Sequence, residues 1–298
     1  MVEESRLLLK IEEESIKFSS IVDIPLNLCS LSEDSKEFLV YNVESNKICA
    51  KIPNPIPFEL KFKGFMCKLS GSQHFYYGGC LKDDTPVGFC LLIDIKTLSV
   101  EFLNPGLPRY WASPIYYENF VYVFGGSTAK RSDQVISSKF NLRKNKWKRI
   151  ADLPSKAEQT STVVYENKIL ISGRKLGYVW KYDPEENSYE RLLKTNKNPW
   201  KMFFVLNSRC YLVTTERVCY RSEANDWRHW QFYGKIKGCC WPLSNVCYYN
   251  KNFLYFDQHA RLWQVDIKKL EIEKIATASE IHFLKSNLDQ INRRWIFF

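Results

Sequence analysis

The chain has 298 residues, a formal net charge of +10, 45% hydrophobic residues and 15% aromatic residues. This apolar content is too high for a disordered chain, and no apolar run approaches the roughly 18 residues of a membrane-spanning helix. The first residues carry acids ahead of a short apolar cluster and lack the three-part pattern of a signal peptide. We therefore expect a cytoplasmic globular protein without a membrane span.

The positive charge is concentrated after residue 50. Residues 1–50 hold ten acids and five bases, whereas the rest of the chain holds 38 bases and 23 acids. A basic body favours acidic partners, among them acidic protein segments, nucleic acid and membrane surfaces. Charge alone does not choose between these partners.

A pair of apolar residues seven positions apart, flanking a polar turn, recurs along the chain. Each pair predicts two strands joined by a short turn. In chain order the pairs are Tyr41 with Ile48, Ile93 with Val100, Phe140 with Trp147, Tyr182 with Tyr189, Tyr220 with Trp227, and Val265 with Ile272. A second pattern, a polar turn followed by an apolar strand, precedes most of them. Together they give four short strands in about 40 to 50 residues, which is typical of a propeller blade.

The two ends of the chain decide the number of blades. Residues 36–53 match the last two strands of a unit and residues 281–298 match the first two, so that joining them would close a ring. With five complete units between the ends, we predict an all-β, six-bladed propeller of four-stranded blades. The alternative is seven blades, with a hairpin in residues 7–25 as the closing partner and residues 26–62 as a full blade. The predicted organisation is an extension or closing hairpin over 1–25 and a propeller over 26–298.

The residues of the third unit resemble a Kelch repeat. The unit over 109–154 contains the whole pattern, which consists of Gly125, Gly126, Phe140, Trp147, Leu153 and Pro154. Neighbouring units keep parts of it, such as Gly78 and Gly79, and the later units lose the glycine pair. The resemblance implies a Kelch-type propeller. Such propellers often act as substrate receptors of ubiquitin ligases or as scaffold parts of cytoskeletal assemblies.

The resemblance also raises the question of catalysis, because some oxidases with Kelch-like propellers bind copper through two histidines and two tyrosines. This chain has four histidines, and only His259 is predicted in a loop that could face the central cavity. One ligand cannot hold a copper ion. No C-x-x-C pair, phosphate-binding loop or nucleophile motif is present. We therefore expect no metal, no cofactor and no enzymatic activity, with an oxidase-type or carbohydrate-active propeller enzyme as the alternative.

Binding is predicted on the face formed by the loops between second and third strands and by the linkers between blades. These loops and linkers hold thirteen bases and six acids, with tyrosine and tryptophan beside the bases. Arginine beside these aromatics is the composition of protein-binding hot spots. The candidate contact residues are Lys82, Arg109, Tyr110, Trp111, Lys130, Arg131, Arg174, Lys175, Trp200, Arg217, Trp241 and Arg261.

The sequence therefore predicts a protein-interaction module, an adaptor or scaffold subunit that binds an acidic segment of a partner. Single-stranded nucleic acid is disfavoured, because the chain has no ribonucleoprotein motif and no arginine- and glycine-rich tail. A ubiquitin-ligase substrate-recognition component is an alternative. Complete ligase receptors of this type carry a BTB or F-box domain ahead of the propeller, and the residues ahead of the first clear blade are too few for either.

Overall fold

The computed structural model is an all-β, six-bladed propeller. It describes residues 27–276 apart from 33, 44, 46, 70, 129–131, 195–201, 207, 215–216, 224–225, 238–246, 250–251 and 258–260. Six small antiparallel sheets follow one another along the chain, five of them with four strands and the first with three. The described residues contain no helix that could cross a membrane.

The strands run in order through the blades. Blade 1 consists of β1 (Asn27–Leu31), β2 (Glu37–Asn42) and β3 (Lys47–Pro53). Blade 2 consists of β4 (Leu60–Lys68), β5 (Gln73–Leu81), β6 (Cys90–Asp94) and β7 (Ser99–Leu103). Blade 3 consists of β8 (Pro114–Tyr117), β9 (Phe120–Phe124), β12 (Ser137–Asn141) and β13 (Lys146–Arg149), and a short hairpin of β10 (Ser127–Thr128) and β11 (Ser132–Asp133) precedes β12.

The second half of the ring repeats this plan. Blade 4 consists of β14 (Glu158–Tyr165), β15 (Lys168–Arg174), β16 (Tyr178–Asp183) and β17 (Ser188–Lys194). Blade 5 consists of β18 (Met202–Leu206), β19 (Arg209–Val213), β20 (Val218–Glu223) and β21 (Asp226–Lys235). Blade 6 consists of β22 (Cys247–Tyr249), β23 (Asn252–Phe256), β24 (Leu262–Asp266) and β25 (Glu271–Ala276). First strands of neighbouring blades contact one another, which places them around the centre of the ring.

Five of the six pairs predicted from the seven-residue spacing are cross-strand partners. The pairing of Tyr220 with Trp227 is wrong, because Tyr220 lies opposite Phe232. The physical reason is that register shifts occur on both sides of this stretch, between Cys219 and Tyr220 and between Ser222 and Glu223. Bulges of this kind insert residues into one strand and displace every later partner.

Neighbouring blades pack through side chains that alternate along each strand. In β9, Val121 and Val123 belong to a buried cluster shared with blade 2, whereas Tyr122 and Phe124 belong to one shared with blade 4. This alternation follows from the period of two in a strand. Comparable clusters join blades 1 and 2, 4 and 5, and 5 and 6.

The ring closes through a cluster between the first and last blades. Leu28 and Tyr41 of blade 1 pack with Leu254 and Leu262 of blade 6. The composition of blade 1 corrects the sequence prediction, because β1 pairs with β2 and occupies the second position of the blade. The prediction that residues 281–298 supply the second strand of this blade is therefore wrong, because Asn27–Leu31 forms that strand. Residues 281–298 and the hairpin predicted in residues 7–25 lie outside the described residues.

The glycine pairs allow each linker to approach the preceding blade. Gly78 and Gly125 have φ angles of +76° and +60°, which favour glycine because they lie in the left-handed region. The amide of Gly79 donates to the carbonyl of Arg109 at 3.2 Å, and that of Gly126 donates to the carbonyl of Ala157 at 2.8 Å. The paired glycines are therefore points where the chain hydrogen-bonds from one blade to the linker that follows it.

An aromatic residue on the outermost strand links each of two blades to the blade before it. The indole N–H of Trp147 donates to the carbonyl of Asn104 at 3.0 Å, and the hydroxyl of Tyr189 donates to the carbonyl of Ala151 at 2.9 Å. Asn104 and Ala151 each lie just after the last strand of the preceding blade. The aromatic residue at this repeat position therefore packs within its own blade and also hydrogen-bonds to the chain just after the outer strand of the preceding blade.

Candidate interaction surface

Loops and linkers meet at one end of the ring, which we call the loop face. It consists of the loops between second and third strands and the linkers between blades. The amide of Tyr110 donates to the carbonyl of Ser127 at 3.0 Å, and that of Ala157 donates to Gln134 at 3.1 Å. In blade 5 the amide of Ile236 donates to the carbonyl of Arg217 at 2.8 Å. These backbone bonds fix the loops against the linkers, as the repeat register predicts.

Arg109 is the predicted contact residue whose location differs most from expectation, because its side chain is completely buried. Its guanidinium donates to the hydroxyl of Tyr77 at 2.8 Å and to the carbonyls of Gly125 and Ile136 at 2.8 and 2.7 Å. A further nitrogen donates to Ser138 Oγ at 2.7 Å. Arg109 therefore joins blade 2 to blade 3 and has no surface to offer a partner.

Tyr110 and Trp111 follow Arg109 in the same linker and differ in exposure. Tyr110 is buried and Trp111 is half-buried, and their rings pack edge to face with centroids 4.7 Å apart. Trp111 adopts a φ of +60°. Of these two residues, only Trp111 has side-chain area available at the loop face.

Arg174 and Lys175 share a buried carboxylate. Arg174 Nη1 lies 2.9 Å and Lys175 Nζ lies 3.7 Å from Glu158 Oε1, and the Glu158 side chain is only 4% exposed. The pair forms because Glu158 and Arg174 lie opposite each other at the ends of β14 and β15. Both bases keep part of their surface in solvent, with side chains 41% and 51% exposed. Part of their positive charge is therefore balanced internally.

Arg261 is held in the same manner in blade 6. Its Nε lies 2.6 Å from Asp257 Oδ2, and the same oxygen accepts a hydrogen bond from the Trp263 indole at 3.0 Å. The Asp257 side chain is 1% exposed. Sequence reasoning named Arg261 and missed this use of Asp257, although a separation of four residues within one loop was a usable signal.

Lys82 and Arg217 are predicted contact residues that are exposed to solvent. Lys82 is paired with Glu59 at 2.5 Å, yet both side chains are more than half exposed, so that the pair contributes little stability. Arg217 is exposed, and the backbone bonds from Ile236 to its carbonyl and from its amide to Thr214 fix its position. The predicted contact residues Lys130, Arg131, Trp200 and Trp241 lie outside the described residues.

The histidines do not converge on the centre of the described structure. His229 is exposed on the outer strand of blade 5, where its Nδ1 lies 2.6 Å from Asp226 Oδ2 and the pKa of the imidazole is raised by that carboxylate. Glu223 lies close enough that these three residues place potential metal-ligand atoms within 4.8 Å of one another. His259 and His282 lie outside the described residues.

His74 is buried in blade 2. It lies in β5 opposite Lys68 and Ile93, and burial, with a smaller contribution from Lys68, lowers its pKa to about 4. The imidazole is therefore neutral in the folded protein, whereas it gains a proton in the unfolded chain below the ordinary value of about 6.5. The contribution of His74 to the free energy of unfolding is therefore complete above a pH of about 6.5 and decreases as the pH falls through the folded-state pKa of about 4.

We expect the free energy of unfolding to decrease by up to about 3 kcal/mol between pH 6.5 and pH 4 because of His74. Denaturant unfolding across this range measures it, with His74→Phe as the matched variant that cannot titrate. The variant should show a shallower decline than the wild type. Parallel curves for the two proteins would contradict the burial of His74 in its neutral form.

Comparison of the sequence with models of known protein families and with curated proteins found no match.

Proposed function

We propose that the chain is a Kelch-type propeller that acts as a non-catalytic protein-interaction module, an adaptor or scaffold subunit. Its loop face binds an acidic segment of a partner protein. The observation that carries the proposal is the set of exposed bases, represented by Lys82 and Arg217, on loops that backbone bonds hold to the neighbouring linkers. Bases fixed in this way contact a partner with little loss of chain entropy on binding.

The Kelch assignment is supported by the positions of its signature residues. Gly126 accommodates the following linker, and Trp147 anchors its blade to the preceding outer strand. Both are places where the fold needs that residue type. The first position requires a left-handed φ, which glycine adopts without strain, and the second requires a large ring that carries an N–H donor.

The non-catalytic assignment is supported by the use of the two buried acids near the loop face. Glu158 is bonded to Arg174, and Asp257 is bonded to Arg261 and Trp263. A general acid or base needs a carboxyl group with access to substrate and a pKa matched to its task. These two carboxylates are buried and engaged with their own loops.

Affinity capture from a native extract, followed by cross-linking mass spectrometry, tests the proposed function. The test variant is Lys82→Glu, Arg217→Glu and Lys235→Glu, which reverses three exposed charges without touching the Glu158 or Asp257 pairs. We expect one or a few proteins to cross-link to the loops of the wild type and to be lost in the variant. Melting curves of the two proteins should coincide.

A matched variant separates the loop face from general charge. Lys96→Glu, Lys268→Glu and Lys269→Glu reverse three exposed charges in turns between third and fourth strands, away from the loop face. This control should retain the partners that the wild type captures. Equal capture by the wild type and the loop-face variant would overturn the proposed surface.

A further inference from the structure

The outer edge of blade 3 carries six bases with no acid among them, and sequence analysis did not single them out. We call this set the blade 3 strip, and it consists of Lys139, Arg143, Lys144, Lys146, Lys148 and Arg149. Residues 139–149 contain these six bases and no acid. All are exposed except Lys139, which is half-buried. Over the described part of the chain, only Arg149 among them has an acidic ion-pair partner, Asp152 at 2.6 Å.

The strip places two lysines directly opposite each other. Lys139 of β12 pairs with Lys148 of β13, and the Lys139 ammonium lies 4.4 Å from the centre of the Phe120 ring. Like charges opposite each other in an antiparallel pair destabilise the sheet. Burial and the nearby Lys148 both lower the pKa of Lys139. The opposition of the two lysines is therefore unfavourable, and the contacts of Lys139 with the rings of Phe120 and Tyr122 offset part of its cost.

Three other blades carry an acid at the position of Lys148, whereas blade 1 has Cys49 there. Counting from the seven-residue pair, the next residue of the outer strand is Glu101 in blade 2, Glu190 in blade 4 and Glu273 in blade 6. In blade 4 this glutamate forms a salt bridge with the opposite base, Lys181. The residues opposite the glutamate in blades 2 and 6 are Leu92 and Gln264, so that blade 4 is the blade to compare with blade 3. Relative to blade 4, blade 3 has the same base on its third strand and a second base, Lys148, in place of the carboxylate that would pair with it.

Protection of an exposed strand edge does not explain the strip. Charged residues, lysine above all, prevent outer strands from pairing with other chains. Blades 4 and 6 meet this need with mixed charges, since β17 carries Glu190, Arg191 and Lys194, and β25 carries Glu271, Glu273 and Lys274. The outer strand of blade 3 carries only positive charges, although mixed charges are enough to protect the outer strands of blades 4 and 6.

We propose that the blade 3 strip binds an acidic, extended segment of a protein, whose carboxylates take the place of the missing acid. Lys146 and Lys148 are two positions apart in one strand, so that their side chains lie on the same face and about 6.8 Å apart. Alternate acidic residues of an extended peptide have the same spacing. The proposal rests on the proposed function as a protein-binding module and adds a second surface to it.

An acidic peptide fits the strip better than single-stranded nucleic acid does. Bases of single strands need aromatic rings on which to stack. Of the two aromatic residues within 139–149, Phe140 is completely buried, and Trp147 packs against Tyr77 and Phe140 and donates its indole N–H to Asn104. Its ring is therefore already engaged by the fold.

Fluorescence anisotropy of a labelled peptide of alternating glutamate and threonine tests the proposal on the purified chain. The key variant is Lys148→Glu, which gives blade 3 the acid of its sister blades. We expect peptide affinity to fall about tenfold or more, because an attractive charge becomes a repulsive one. The same variant should raise the melting temperature, because Glu at position 148 would pair with Lys139. A merely structural lysine would not give opposite changes in binding and stability.

Three comparisons make the outcome specific. Lys194→Glu, an exposed change on the outer strand of blade 4, and the loop-face triple variant should both bind the peptide as the wild type does. A peptide of alternating glutamine and threonine should bind at least about tenfold more weakly than the acidic one. Unchanged affinity in Lys148→Glu would overturn the proposal, as would tighter, Lys148-dependent binding of a single-stranded RNA of similar length. Loss of binding in the loop-face variant alone would also overturn it while leaving the proposed function in place.

Discussion

Replacing Arg109 with alanine should lower the free energy of unfolding by roughly 3 to 5 kcal/mol. The side chain is completely buried and donates to Tyr77 of blade 2 and to Gly125, Ile136 and Ser138 of blade 3. Truncation leaves these acceptors in the interior without their donor and opens a cavity between the two blades. Denaturant titration followed by tryptophan fluorescence measures the change.

Two further variants give this prediction its controls. Arg109→Lys should recover only part of the loss, because an ammonium cannot reproduce the planar fork of the guanidinium. Arg143→Ala, at an exposed position of the blade 3 strip, should change stability by less than about 0.5 kcal/mol. A loss below about 1 kcal/mol in Arg109→Ala would contradict the role of this residue as a link between blades.

Replacing Gly78 with alanine should lower the free energy of unfolding by roughly 3 to 5 kcal/mol, because two penalties add. The residue has a φ of +76°, and a Cβ added there would lie 2.4 Å from the backbone oxygen of Arg109. A backbone atom cannot move away as the end of a flexible side chain can. The linker that carries Arg109 would therefore have to shift, and with it the contacts of the guanidinium.

Gly71 supplies the matched control for this prediction. Its φ is +57°, yet a Cβ there would meet no atom within 4 Å. Gly71→Ala should therefore show the conformational penalty alone, roughly 1 to 2 kcal/mol. Thermal and denaturant unfolding of the two variants separate the penalties. An equal decrease in the free energy of unfolding in both variants would show that the close approach of the Arg109 linker to Gly78 adds no penalty.

The repeat made most of the propeller predictable. Five cross-strand pairs follow from one spacing, because each pair flanks a turn of the same length. The pair at Tyr220 could not be predicted, since bulges obey no sequence period. The second strand of blade 1, Asn27–Leu31, was placed in a blade only in the seven-bladed alternative, because it lacks the glycine pair that marks this strand in blades 2 and 3.

The candidate surface was less predictable than the fold. Backbone bonds join described loops to linkers at Tyr110, Ala157 and Ile236, but sequence does not tell an exposed arginine from one such as Arg109 that crosses between blades. The blade 3 strip was visible as a run of bases, although its meaning depends on register. Only the pairing of Lys139 with Lys148, set beside that of Lys181 with Glu190, shows that an acid is missing.

The basic surfaces of the propeller are proposed to bind a partner protein. Hydrogen–deuterium exchange of the chain with and without a captured partner tests it most directly. We expect slower exchange in the loops of the loop face, in β12 and β13 of blade 3, or in both. Slower exchange confined to other parts of the ring, with no change at either basic surface, would contradict it.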